Sequence, residues 1–527
     1  MATIYFLEPN AFLSLITGFV LLACSIISFE FRNNTKASLF LLFAAGIFMC
    51  SFSALLDPFL NNWDEQFHAL VAKNFLKHPF IPALYDHPLL EYDPASWISN
   101  HIWLHKQPLF LWQIALSLKL FGLNEFAVRI PSVLMMSIIP LMIYRIGKLS
   151  LNERTAYYGA LLFASAFFVH ELCTGLPPSD HNDIAFLFYI AASIWAWVEY
   201  EASGKKYWLV LIGLFSGCAV LVKWLTGLLV FSGWGISILG DKQKRACLRS
   251  YIDPALSLVA CVIVFLPWQL YISKAFPAES SAEYALNTKH FFEVVEGHGG
   301  DAFYYFDNLR KVYGDGQLVP FVILISFIFL YRQISENKFR IAFFSYIIIV
   351  YLFFSLAATK MIAFCFIVSP FIFLSLAALI KDILGLVKEK LFKRAAFQKG
   401  FMVLTLLLIC WGNLNLYKIA YKHTLEVKPN DNDKRADKIR DAAFIKSLAT
   451  ILPSPDYVIF NCKEEKNIGI MFYTDFIAYD KPLEYNTYLQ LKKQNIKLAV
   501  IDNGKLPDYI LNDPAVVRIQ APDPTWY

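Results

Sequence analysis

Long apolar runs alternate along this chain with short polar connections, and that alternation predicts its main elements. A run of roughly 20 apolar residues can cross a hydrocarbon core of about 30 Å as a helix. The pattern predicts about twelve such spans, at 11–30, 37–56, 129–149, 155–172, 183–200, 207–222, 226–240, 252–271, 317–332, 340–357, 361–380 and 401–420. Residues 57–128 interrupt it with a long polar insertion. Within that insertion, Phe67, Leu70, Val71 and Phe75 fall on one side of a helix over 64–76, and 108–121 starts with Pro108 and ends at Gly122. Fourteen residues is short for a crossing, so both segments read as helices lying in the interface. Between them, 79–107 is rich in Pro, His, Tyr, Trp and Asp and reads as an ordered substrate-facing loop. After about 425 the pattern changes again. A charged amphipathic helix over 431–448, strands at Asp456–Phe460, Lys497–Ile501 and Ala515–Ile519, and a helix near 484–495 predict a small α/β domain.

Composition agrees with the spans. Of 527 residues, 57% are hydrophobic and 17% charged, and the mean hydropathy is +0.48; a soluble chain carries nearer a quarter charged residues. The net charge of +5 does not point to nucleic acid, because the basic residues sit in short loops between spans. The nine cysteines lie mostly inside apolar runs, with Cys462 alone in the tail, which is no disulfide framework. Residues 1–10 lack the basic segment of a cleaved signal peptide, so the first run is expected to remain as a helix.

Charge distribution sets the expected orientation. Loops carrying Arg32 and Lys36, Arg145, Lys148 and Arg154, Lys205 and Lys206, Lys242 to Arg249, Arg332 to Arg340 and Lys381 to Lys399 alternate with loops nearly free of Lys and Arg. Basic short loops stay in the cytoplasm. The 57–128 insertion, the 272–316 loop and the tail are therefore expected outside.

The candidate chemistry gathers on that outer side. Asn62-Trp-Asp64-Glu65-Gln-Phe-His68 places two adjacent carboxylates where a span has just ended, and ionisable groups at a membrane boundary are costly without a role. Helix capping accounts for one of the two acids, not for both. His68 lies one turn from Asp64 and either orients it, binds metal or simply fills the interface. Lys106, in His101-Ile-Trp-Leu-His105-Lys106-Gln-Pro108, suits a phosphate beside free backbone N–H groups; a lysine snorkelling to headgroups is the plainer reading. The i, i+4 pair His101 and His105 has metal-ligand spacing but no fixed carboxylate partner. Ser179-Asp180-His181-Asn182-Asp183 heads another span; its acids again either cap a helix or wall a site. Lys223 and Lys360 stand at outer helix ends where basic residues are rare, and with Lys106 they outline a socket for a lipid phosphate. Glu296-Gly-His298-Gly-Gly-Asp301 fits no Walker-type loop.

In this order the segments resemble the GT-C membrane glycosyltransferases that use polyprenyl-phosphate sugars, the superfamily of glycosyltransferase family 39, lipid A aminoarabinose transferases and protein O-mannosyltransferases. Trp63-Asp64-Glu65-Gln-Phe-His looks like the first-loop acidic motif; His105-Lys106-Gln-Pro-Leu-Phe-Leu-Trp and Arg129-Ile-Pro resemble Lys-Pro-Pro-Leu-Tyr-Tyr-Trp and Arg-Leu-Pro. Asp183-Ile-Ala-Phe-Leu-Phe is similar to the second acidic motif, Val-Leu-Val-Lys223-Trp-Leu-Thr-Gly to Leu-Thr-Lys-Gly, and Leu266-Pro-Trp, His298-Gly-Gly-Asp and Ala-Ala-Thr-Lys360 to later landmarks. The likeness covers about residues 37–380 and rests on collinear order.

The likeness and the pattern together give an α-helical polytopic GT-C-like protein with about twelve transmembrane helices and three parts: an extra N-terminal helix (1–36), a glycosyltransferase core (37–420) and, from the pattern alone because the tail is too divergent to carry over, an extracytoplasmic α/β domain (421–527). The likeness implies Asp64 as the principal catalytic acid-base residue and Lys106 as the binder of donor phosphate; with the reading of the residues, Glu65 and Asp183 are further catalytic candidates, and Lys223, Lys360, Arg129 and His298 candidate binders of substrate and lipid phosphate. Some members hold a divalent metal through a carboxylate just before the lysine. Here that position is His105, which with His68 is the candidate metal ligand. The expected partners are a polyprenyl-phosphate sugar donor and a glycan, lipid or protein acceptor, in a bacterial cytoplasmic membrane with the site outside. The rival is a transporter or flippase of a lipid-linked sugar, which calls for charges near the bilayer midplane and broken helices in repeated halves; here the charges gather at helix ends.

Overall fold

The computed structural model describes residues 9–176, 180–424, 435–463, 465–522 and 526. Helices α1 (Pro9–Glu30) and α2 (Thr35–Ala54) form a hairpin whose turn is capped by Asn34, accepting from the Ala37 N–H at 3.1 Å. The insertion that follows carries two short helices packed on each other, α3 (Asp64–Phe75) and α4 (Pro108–Phe121). Then come α5 (Glu125–Ser150), α6 (Glu153–Ala164), α7 (Phe167–Thr174), α8 (His181–Ser203), α9 (Tyr207–Lys223), α10 (Leu229–Leu239), α11 (Lys242–Arg245) and α12 (Arg249–Ala275). A second large loop holds α13 (Pro277–Phe292) and α14 (Tyr304–Tyr313). The bundle ends with α15 (Val319–Gln333), α16 (Asn337–Leu356), α17 (Ser369–Leu391), α18 (Ala395–Leu414) and α19 (Leu416–Thr424).

Among the described residues, nine helical stretches are long and apolar enough to cross a membrane, ten if α6 and α7, bent by 42°, count as one span. The expected spans at 207–222 and 226–240 are joined by a 3-10 turn at Trp224–Leu228, where the chain doubles back: Ser216 Oγ donates to the Gly227 carbonyl at 2.7 Å. The span expected at 317–332 is the shorter apolar helix α15. Packing ranks the helices. The most apolar windows of α8 and of α5 are 83% and 72% buried, whereas that of α12 is only 22% buried. Its exposed Leu256, Val259, Ile263 and Leu270 then face lipid rather than protein.

Loops collect at two opposite ends. At one, Thr35 bonds Glu153, Ser335 bonds the Ser150 carbonyl, Lys206 pairs with Asp253 and Lys338 with Glu201. At the other lie α3, α4, α13, α14 and the starts of α8 and α10. The tail is docked at this second end. Its helices α20 (Arg435–Ile451), α21 (Lys466–Tyr473), α22 (Tyr485–Lys493) and α23 (Asp508–Leu511) accompany strands β1 (Tyr457–Phe460), β2 (Ile477–Ala478), β3 (Lys497–Asp502) and β4 (Val517–Gln520). The strands form one parallel sheet in the order β2-β1-β3-β4, with Val458 opposite Leu498 and Ile501 opposite Ile519. The three longer strands fall where the pattern predicts them; β2, two residues long, is too short to show a period. Of the helix predicted over 431–448, residues 431–434 lie outside the described residues, as does Ser179. Lys73 of α3, buried, donates to the Met471 carbonyl at 2.8 Å, and Asn467 Nδ2 to Tyr85 Oη at 3.1 Å, so the tail closes over the first insertion.

α9 and α12 meet through Gly213-Leu-Phe-Ser-Gly217. A Cβ on Gly213 would lie 2.3 Å from the Ser257 carbonyl, and one on Gly217 would lie 2.7 Å from that of Cys261. Without a hydrophobic drive between helices in lipid, such close backbone approach supplies the packing. Gly213→Val is therefore expected to cost about 1–3 kcal/mol by overpacking, read as a lowered midpoint of thermal unfolding for the detergent-solubilised protein.

Candidate active site

Asp64 and Glu65 are neighbours in sequence but, about 100° apart on a helix, they face different surroundings. Glu65 is buried and fully engaged. Arg129 Nε donates to its Oε1 at 2.6 Å and Nη2 to its Oε2 at 3.0 Å, while the Asn61 N–H adds a bond at 2.6 Å. The same guanidinium donates to the carbonyls of Ala54, Asp57 and Phe59. His181 Nε2 lies 3.1 Å from Glu65 Oε1, and its Nδ1 lies 2.9 Å from Ser132 Oγ. Because a carboxylate only accepts, Nε2 carries the proton. Gly175, at φ +70°, makes room: a Cβ there would lie 2.6 Å from His181 Nε2. Burial alone would raise the Glu65 carboxyl, but Arg129 and His181 hold it at about 2. The expected catalytic Glu65 and phosphate-binding Arg129 are thus locked to each other and to the end of α2, with no capacity left for a ligand.

Asp64 is more open, its side chain 28% exposed, and its Oδ1 is 3.0 Å from Lys106 Nζ. Lys106 also donates to Asp180 Oδ2 at 3.1 Å. Asp180 has two tasks: its Oδ1 caps α8 by accepting from the Asn182 N–H at 2.8 Å, and its Oδ2 holds the lysine. Burial disfavours both charges. Asp180 and Asp64 nonetheless hold Lys106 well above the ordinary lysine value, and Lys106 holds Asp180 well below the usual carboxylate range. Asp180, which the motif reading left as a capping or wall residue while favouring Asp183, is the acid that the structure brings to Lys106; the signal in the sequence was its place three residues before Asp183.

His68 is buried beside this pair, Nδ1 3.7 Å from Asp180 Oδ1, and among the described residues neither ring nitrogen has a hydrogen-bond partner. Burial pushes its imidazole down to about 4, against the pull of Asp180 and Asp64, so the ring is neutral and the contact is not an ion pair. Ligand atoms of Asp64, His68 and Asp180 all lie within 4.8 Å of one another. His105 stands apart from them: its Nδ1 faces Glu283 of α13 at 3.6 Å and its ring stacks on Trp97 at 4.6 Å.

One turn into α8, the buried Asp183 accepts from Lys223, whose ammonium lies 4.7 Å from the Phe364 ring centre. Lys360, four residues before Phe364, is buried and donates to the Ala357 carbonyl; among the described residues no carboxylate pairs with it. His298 meets Lys360 through backbone alone, its carbonyl accepting the Lys360 N–H at 2.8 Å.

Two tryptophans border the charges in strained backbone. Trp63 has φ 62° and ψ −125°, and Trp224 has φ 60° and ψ −157°, in or close to a region used almost only by glycine. Each costs about 1–3 kcal/mol, and such outliers cluster at functional sites.

Residues 105–271 match the family described as dolichyl-phosphate-mannose-protein mannosyltransferase. The chain is 31% identical over 191 residues, 34% of its own length, to an undecaprenyl phosphate-alpha-4-amino-4-deoxy-L-arabinose arabinosyl transferase of Pseudomonas aeruginosa (strain UCBPP-PA14). It is 24% identical over 340 residues, covering 62% of this chain and 59% of the other, to the enzyme of that name from Serratia proteamaculans. The first match spans only about a third (33%) of that relative's length. The crystal structure of ArnT from Cupriavidus metallidurans bound to undecaprenyl phosphate superimposes at a TM-score of 0.61 and 14% identity, covering 91% of this chain and 89% of that one. The chain therefore shares the fold of that ArnT structure, a GT-C-like multi-pass helical fold.

Arg129→Met, which strands the buried Glu65 carboxylate, should cost about 3–5 kcal/mol and most of the monodisperse yield on size exclusion; adding Glu65→Met should restore much of both. His68 gives a pH signature. Its folded value of about 4 lies below the unfolded 6.5, so the unfolded chain binds the extra proton and stability is lost as pH falls from 6.5 toward 4. His68→Gln should flatten the fall in unfolding midpoint across that window.

Proposed function

We propose that this chain is a membrane glycosyltransferase that moves a sugar from a polyprenyl-phosphate carrier to a hydroxyl of a glycan, lipid or protein acceptor. The observation that carries it is the shared Lys106: one ammonium held between an accessible carboxylate, Asp64, and a buried one, Asp180. Asp64 is the general base, because Glu65, Asp180 and Asp183 are at most 5% exposed and cannot reach an acceptor. It takes the acceptor hydroxyl proton as that oxygen attacks the anomeric carbon. The bond from that carbon to the phosphate oxygen breaks with inversion, and the electron pair leaves with the polyprenyl phosphate. Lys106, Lys223 and Lys360 meet the growing phosphate charge. A donor phosphate that draws Lys106 toward itself also frees Asp64 to act.

A divalent cation fits the same corner, since among the described residues both His68 ring nitrogens lack a hydrogen-bond partner and one lies with the Asp64 and Asp180 oxygens. Bound there it would supply Lewis-acid charge near the departing phosphate, a part the Lys106 ammonium fills in this geometry. Glu65 and Arg129 position Asp64 rather than touch substrate.

The site end faces away from the cytoplasm of a bacterial inner membrane, in keeping with the Lys- and Arg-rich loops at the opposite end. The chain divides into an additional helix (1–36), the transferase core (37–420) and a tail domain (421–527) that closes over the first insertion. The charges lie at helix ends and not at mid-bilayer, which disfavours a flippase. Membranes containing the protein and radiolabelled undecaprenyl-phosphate sugar test the reading. Asp64→Asn is expected to lower transfer about 10²–10⁴-fold while the protein stays folded, and transfer at the wild-type rate would overturn the role of Asp64.

A further inference from the structure

We propose that Trp63 and Trp224 are the two aromatic walls that stack on the sugar ring of the lipid-linked donor. The inference rests on the transferase reading and adds the residues that recognise the glycosyl group itself. Each tryptophan is covalently next to a charge of the site, Trp63 before Asp64 and Trp224 after Lys223. Each keeps a positive φ that a glycine would adopt freely. Neither conformation is the left-handed helical cap, where ψ lies near +45°, so terminating a helix does not account for them.

Both rings are propped but not covered. Trp63 leans on Trp97, with centres 6.2 Å apart at 51°, and Trp224 meets Tyr284 of α13 at 5.1 Å and 63°. Trp97 is itself fixed, stacked on His105 and donating its indole N–H to Glu296 at 2.8 Å. Trp63 remains 46% exposed, and among the described residues neither indole N–H of the pair donates to a protein acceptor. A large flat apolar face with a free donor, next in the chain to Asp64 or Lys223, suits a sugar: its C–H face packs on the indole and its hydroxyls accept from the N–H. Isolated membrane-belt tryptophans have amphipathic placement in common with these but no reason to occupy strained backbone.

Replacing either residue by glycine removes the ring and the strain together, so the two roles separate in sign. Binding of bare undecaprenyl phosphate, undecaprenyl-phosphate-linked 4-amino-4-deoxy-L-arabinose and undecaprenyl-phosphate-linked mannose is measured on the full chain in nanodiscs. Wild type should bind one glycosylated lipid about tenfold tighter than the bare one. Trp63→Gly and Trp224→Gly should reduce that preference to about twofold or less and leave the bare lipid unchanged. Their unfolding midpoints should hold or rise by about 2 °C, and the phenylalanine variants should keep most of the preference. The proposal is overturned if the glycine variants retain the sugar preference, if they lose bare and glycosylated lipid equally, or if wild type prefers neither sugar. Wild type that binds none of the three lipids would overturn the transferase reading itself.

Discussion

Removing charge from water at the end of a helical bundle is the constraint this architecture is built to satisfy. Glu65 and Arg129 are both essentially without solvent, and each charge alone would be too costly to bury. Two bonds between them, one each from Asn61 and His181 to Glu65, and three from Arg129 to carbonyls at and beyond the end of α2 complete their hydrogen bonding. The arrangement joins α2, α3 and α5 at one point and fixes the rotation of α3 about its axis. With Glu65 turned inward, Asp64 faces the Lys106 side of the helix.

Charge at that second face is balanced more loosely. Lys106 answers two carboxylates, Lys223 one, and Lys360 a backbone carbonyl only. In the proposed reaction a donor phosphate would compete with these partners for the three ammonium groups. Drawing Lys106 away from Asp64 would take the nearest counter-charge from that carboxylate and leave its oxygens open to an acceptor hydroxyl. In this view the ion pair is the resting state of the proposed chemistry and not a competitor to it.

The second large loop and the tail act on this centre from outside. α13 brings Glu283 to His105 and Tyr284 to Trp224. Residues 290–298 are stitched to 358–360 through Phe291, His290 and His298 carbonyls, which sets where Lys360 can lie. The tail sheet contributes no side chain to the charged corner. Its α21 grips Lys73 at the far end of α3 and so steadies the helix that carries Asp64.

The sequence alone determined the helical membrane class and where most of the apolar helices lie, though not the count of about twelve spans, and it pointed to most charged members of the candidate site, because hydropathy runs and isolated ionisable residues are local signals. It also placed helices at 64–76 and 108–121 within a residue of where they lie, since their apolar faces and their Pro and Gly boundaries are local too. The tertiary structure alone decided which acid faces which cation. Adjacent Asp64 and Glu65 look alike in sequence, and only packing against Arg129 buries one and leaves the other open. Asp180, not Asp183, reaches Lys106, and Arg129 and His298 meet their partners through contacts that no periodicity encodes. Those outcomes depend on rotations and approaches of helices distant in sequence, for which the chain carries no local mark.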